Sequence, residues 1–170
     1  PISSRLRGKP LRRLRGDPLI CHVVRTVLEW GLAAPVVVAT DDVRVVAVVE
    51  PLGVVGVLTQ RAHPTGTHRV AEVAERPAFR GMDTVLNVQG DLPRVDGGVA
   101  RAALGRLAQG DPIGTVGVPL RPAAWGDRSR VKVVVDDASG RALRFSRSVP
   151  ASAAWPCGVQ VLEHVGVYAY

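Results

Sequence analysis

The chain has 170 residues, 46% of them apolar and 22% charged, with only two cysteines and a net charge of +7. That is enough chain to bury a core as one globular domain, and it excludes a disordered tail or a disulfide scaffold. No apolar run approaches the ~20 residues of a membrane span, and the first residues form no hydrophobic signal core, so a cytoplasmic protein with no membrane partner is expected.

The excess positive charge is concentrated at the start. Arg5, Arg7, Lys9, Arg12, Arg13 and Arg15 precede the first acidic residue. Such a block suits a polyphosphate, a nucleic acid or a solvated face. It contains no aromatic residue on which bases could stack, so nucleic acid is not expected as a partner. Gly8 lets backbone approach a ligand, and Arg5 and Lys9 flank it as cations. The glycine spacing and the Lys-Ser/Thr pair of a Walker loop are absent.

Residues 1–16 are expected to form a loop. Asp17 and Pro18 signal a helix start, with Asp17 as N-cap, and Leu19, Ile20, Val23, Val24, Val27 and Leu28 continue at helical spacing to a stop at Gly31. Residues 35–40 predict a buried strand, the apolar segment from Asp42 to Gly53 a helix, and residues 54–58 a strand. His63 to Arg69 leads into a helix over 67–75, with Thr67 as its expected N-cap. Hydroxyls and backbone N–H groups there could also cup an anionic ligand.

Residues 84–89 predict a short buried parallel strand that breaks at Gly90 and delivers Asp91 to its carboxyl end. In an open α/β sheet that is where ligands gather. A carboxylate there suits a hard divalent cation held against a phosphate, although an aspartate after a glycine also caps turns. A helix over 96–107 and a strand over 113–118 follow. Strands over 131–136 and 142–146 flank a hairpin turn at residues 137–140, and residues 163–170 form a last strand. Strands alternating with helices predict an α/β fold with a mostly parallel sheet flanked by helices. The chain opens inside a loop and stops inside a strand, so a single domain over 1–170, incomplete at both termini, is expected.

Six segments in order resemble one family. They are S-S-R-L-R-G-K-P-L from Ser3, V-V-V-A-T-D-D from Val36, H-P-T-G-T-H-R-V-A-E-V from His63, V-L-N-V-Q-G-D-L-P from Val85, the run from Val131 to Pro150 containing F-S-R, and H-V-G-V-Y-A-Y from His164. Together they resemble the 3-deoxy-manno-octulosonate (Kdo) cytidylyltransferases, also called CMP-Kdo synthetases. The resemblance implies a Rossmann-like, nucleotide-diphospho-sugar transferase fold. It implies a reaction in which the 2-hydroxyl of Kdo, or of a related acidic sugar, attacks the α-phosphate of CTP and releases pyrophosphate. It further implies Mg²⁺ as cofactor, a homodimer, and a role in lipopolysaccharide or other surface glycan synthesis.

By position in the motifs, Arg5 and Lys9 would hold the triphosphate, and Arg61, Thr65, Gly66 and Thr67 would surround the cytidine. Asp91 would bind the metal and Gln89 would face the reacting sugar, making Lys9, Asp91 and Gln89 the catalytic set. Arg147, His164 and Tyr168 would contact the sugar carboxylate and hydroxyls. The chain departs from the pattern at Leu92, where an acid usually follows the Q-G-D aspartate, at Arg7 in place of a loop proline, and at His68 in place of an acid. The competing expectation is a truncated, inactive homologue that at most binds nucleotide weakly.

Overall fold

The computed structural model describes residues 8–148 and 157–170. Its first half alternates short strands and helices. β1 (Arg13–Leu14) and β2 (Asp17–Pro18) pair as a small antiparallel ribbon, and α1 (Leu19–Glu29) follows. Asp17 therefore does not cap the helix. Its extended backbone belongs to the ribbon, as expected of a residue before proline, and its carboxylate accepts from Arg25 Nη1 at 2.5 Å. α1 ends where expected, with Gly31 left-handed at φ 64°.

β3 (Val37–Thr40) and β4 (Val55–Leu58) pair in parallel across α2 (Val43–Val49). Asp42 caps α2 by accepting from the Arg44 N–H. The valine-rich α2 is helical because it must cross back between two parallel strands and pack on α1. Ile20, Cys21, Val23 and Val24 of α1, Val45 and Val49 of α2, and Val54 form that core. α3 (Gly66–Ala74) has its cap two residues earlier than expected. Thr65, not Thr67, is extended and accepts from the His68 N–H, leaving Thr67 inside the first turn.

The second half is built on β5 (Leu86–Val88), α4 (Gly97–Ala108), β6 (Gly114–Pro119), β7 (Lys132–Asp136), β8 (Ala142–Ser146) and β9 (Val159–Ala169). The α/β class is as expected, whereas the strand sense differs from the expected mostly parallel sheet. Among the described residues β3–β4 is the only parallel pair; β5, β6 and β7 all pair antiparallel with β9, and β7 with β8. No α-helix is described between β6 and β9, and β7 runs straight into β8 through the Asp137–Gly140 turn, so these strands double back on one another. The strand before Asp91 is thus antiparallel to its one described neighbour, β9. α4 covers this sheet through Ala103 against Val167 and Ala169. No helix among the described residues is long and apolar enough to cross a membrane.

Candidate active site

The segment does run from strand to turn to carboxylate, with a turn chemistry other than the expected one. Gly90 is not left-handed; Leu92 N–H closes the turn onto the Gln89 carbonyl at 3.2 Å, and Asp91 projects from it. Gly8, at φ 75°, turns the basic loop into a single 3₁₀ turn over Lys9–Leu11. The two meet: Lys9 Nζ lies 2.5 Å from Asp91 Oδ2, with both side chains about two-fifths exposed. Residues 82 apart in sequence are thus brought together. Arg5, the other expected triphosphate ligand, lies outside the described residues.

Asp91 also opens onto a cavity of about 480 Å³ whose lining includes Gln89, Arg147, His164 and Tyr168. The residues expected to contact the sugar therefore share one pocket with the expected metal ligand. β9 supplies its floor. His164 is buried and Tyr168 half-buried, and their rings pack with centroids 4.8 Å apart. Burial holds the His164 pKa below its ordinary value and raises that of Tyr168, so the floor presents a neutral imidazole and a protonated phenol.

Arg147 stands at the exposed mouth, just past β8. Its guanidinium donates to the carbonyls of Ser129 at 3.1 Å and Arg128 at 3.4 Å, and no described carboxylate pairs with it. The cation is therefore steered by neutral acceptors and keeps its charge available for an anion.

Sequence reasoning missed four contributors here. Phe145 packs edge-on against His164 at 5.2 Å. Arg130 pairs with Glu163 at 2.5 Å, which neutralises an acid on the pocket wall. Thr115 bonds His164 at 2.8 Å. Lys132 is fully buried and donates to the carbonyls of Asp127, Arg130 and Arg147, tying the 127–130 turn to the end of β8. A lysine in a valine run was the available signal, since a charge in a buried strand needs a partner.

The expected cytidine residues form a separate group. Arg61, Thr65, Gly66 and Thr67 are exposed beyond the carboxyl ends of β3 and β4, and none lines the cavity. Their surroundings are braced from within. His63 Nε2 donates to Glu72 at 2.5 Å, and Glu72 also accepts from the Gln60 N–H at 3.0 Å and from Arg76 at 3.0 Å. These bonds, His63 first, hold the Glu72 pKa down to about 2. Arg69 reaches Asp41 at 3.5 Å and also bonds Thr59. The Thr65 hydroxyl is engaged with His68 Nδ1 at 2.7 Å, so the histidine that stands where an acid was expected serves the helix start.

The donor set around Asp91 bears on Mg²⁺. Among the described residues no three His, Cys, Asp or Glu side chains gather as a metal cage. One exposed carboxylate fits Mg²⁺ when substrate phosphates and waters complete its octahedron, the usual arrangement for that ion.

A mixed α/β domain with a basic loop closing on a strand-end carboxylate has the layout of a nucleotidyltransferase. The chain matches the cytidylyltransferase family model over residues 2–170, and it belongs to that family. It is 45% identical over 99% of its length to a 3-deoxy-manno-octulosonate cytidylyltransferase of Methylococcus capsulatus, covering 69% of that protein. It is 39% identical to the same-named protein of Yersinia enterocolitica, covering 99% of this chain and 70% of that one. A solved structure of a CMP:2-keto-3-deoxy-manno-octonic acid synthetase complexed with CTP superposes with a TM-score of 0.80 at 36% identity, over 98% of this chain and 68% of the other.

Proposed function

We propose that this protein transfers CMP from CTP to the 2-hydroxyl of Kdo or a related acidic sugar. In the reaction the hydroxyl oxygen bonds to the α-phosphorus, the bond to the bridging oxygen breaks, pyrophosphate leaves, and the hydroxyl proton passes to solvent. The observation that carries the reading is Asp91: one carboxylate is bound by Lys9 of the basic loop and lines the cavity that holds Gln89, Arg147, His164 and Tyr168. A nucleotide on the loop and an acidic sugar in the cavity would meet there.

Transfer between two bound substrates depends on alignment and charge neutralisation, not on a covalent intermediate. Lys9, with Arg5, would neutralise the triphosphate, while Arg61, Thr65, Gly66 and Thr67 would hold the cytidine. Gln89 would position the attacking hydroxyl and Arg147 the carboxylate. Asp91, with the phosphates, would hold Mg²⁺, which supplies neutralisation of the developing charge. Family membership and the presence of these residues together favour an enzyme over an inactive homologue. The reading includes a single cytidylyltransferase-like domain over 1–170, a cytoplasmic location, assembly as a homodimer, and a product used in lipopolysaccharide or other surface glycan synthesis.

Pyrophosphate release with Mg²⁺, Kdo and each of CTP, UTP, ATP and GTP tests it. Release that requires both CTP and Kdo is expected. Release that ignores the sugar, or none with any nucleotide, would overturn the reading.

A further inference from the structure

Thr115 of β6 stands opposite Tyr168 of β9, and the next pair is Gly117 with His164. Three residues of β9 thus face one of β6, and Gly166 at φ 80° absorbs the bulge. A Cβ at Gly166 would also lie 3.3 Å from the Gln89 side chain, so the glycine serves both the turn and the close approach. The bulge places the Thr115 hydroxyl 2.6 Å from the Val167 carbonyl oxygen and 2.8 Å from His164 Nε2.

A hydroxyl has one proton, and a carbonyl oxygen can only accept. The Thr115 proton is therefore committed to Val167, and the second bond runs the other way, from His164 Nε2–H to Thr115 Oγ1. A neutral imidazole protonated at Nε2 carries its lone pair on Nδ1. That atom bonds no described residue. The only sealed, unpartnered side-chain nitrogen or oxygen among the described residues is Trp125 Nε1, so His164 Nδ1 is open, and the ring lines the cavity.

We propose that Thr115 is a positioning residue that locks His164 in its Nε2–H tautomer, so that the pocket offers Nδ1 as an acceptor to a hydroxyl of the sugar. The sugar half of this statement rests on the proposed function; the tautomer does not. His164 then reads a hydroxyl rather than the carboxylate, which is left to Arg147. The pocket selects a polyhydroxylated acid with a hydroxyl donor at that place, and an analogue lacking the hydroxyl leaves Nδ1 unpaired.

Long-range ¹H–¹⁵N NMR on histidine-labelled protein reads the tautomer directly, and with four histidines in the chain His164→Asn assigns the signal. The Nε2–H form is expected at pH 7 in the wild type and in Thr115→Ser. Thr115→Val is expected to lose that preference and to raise the KM for Kdo about tenfold, the worth of one hydrogen bond. Its KM for CTP should not move, and Thr115→Ser should restore the sugar constant. An Nδ1–H or doubly protonated ring in the wild type overturns the proposal, and so does a folded Thr115→Val protein with wild-type KM for Kdo. Absence of any CTP- and Kdo-dependent turnover by the wild type would overturn the functional reading instead, and the nitrogen shifts would still decide the tautomer.

Discussion

The two sides of the proposed site are built differently. On the nucleotide side, Arg61, Thr65, Gly66 and Thr67 are exposed, and Lys9 is two-fifths exposed on a one-turn loop. Their order comes from part-buried bonds beneath them such as His63–Glu72 and Arg69–Asp41. On the sugar side, one long strand supplies a buried histidine and a half-buried tyrosine, and a fully buried lysine fixes the turn beneath Arg147. On the proposed reading, an acidic sugar would meet a pocket already formed, whereas the nucleotide would meet a charged surface that its own phosphates complete. Preorganised donors cost no rearrangement at the moment of reaction.

The largest expected effect breaks the junction between the two sides. Asp91→Asn should lower kcat by at least about a hundredfold while leaving the fold intact, because the side chain is two-fifths exposed and its one described side-chain bond is to Lys9. Steady-state pyrophosphate release and circular dichroism check both halves of that statement.

Lys132→Met strikes the sugar side alone. It strands three carbonyls that a buried ammonium had satisfied. A loss of about 3 kcal/mol is expected, the cost of leaving acceptors of a charged donor without a partner. That corresponds to a fall of about 10 °C in Tm. At temperatures where the variant remains folded, the KM for Kdo should rise more than the KM for CTP, since the Arg147 carbonyl is one of the released anchors.

Acid should separate the two sides in a definite order. Burial lowers the folded-state pKa of His164 below 6.5, so the unfolded chain takes up that proton first. The resulting stabilisation is complete above pH 6.5 and is lost as pH falls through the folded value. Glu72 is held down to about 2 against an ordinary 4.5, chiefly by His63. Its contribution is complete above pH 4.5 and is lost as pH falls towards 2. Hydrogen exchange corrected for intrinsic rates should show β6 and β9 losing protection below pH 6.5, and α3 with the Thr59–His63 loop only below pH 4.5. Simultaneous loss would erase the proposed contrast.

The smallest effect belongs to His22, which lies outside both sides. Its Nε2–H donates to the Leu14 carbonyl at 2.7 Å, an exposed bond. His22→Ala should cost about 0.5 kcal/mol in chemical denaturation and leave both KM values unchanged.

What the sequence showed and what it hid follow the same division. Helix periods, turn glycines and the carboxylate after β5 were legible because each is set by neighbours a few residues away. Asp17 was misread because a local cap signal lost to a ribbon and an ion pair with Arg25. The α3 cap lies two residues before Thr67 because Thr65 also fits a cap, and only the backbone decides between them. The antiparallel sheet was hidden because β9 pairs with three strands distant in sequence, and strand spacing carries no pairing sense. Gln89, Arg147, His164 and Tyr168, which line one cavity, were legible only through motif resemblance. Thr115 and Lys132 touch His164 and the Arg147 backbone, contacts that exist only once the sheet has formed.

The most direct test is ³¹P NMR of the protein with CTP, Kdo and Mg²⁺. The account predicts that the triphosphate signals give way to one phosphodiester and one equivalent of pyrophosphate, with no change when Kdo is omitted. Inorganic phosphate with CDP, or pyrophosphate with free CMP formed equally without Kdo, would contradict it, because either would mean that water and not the sugar is the acceptor.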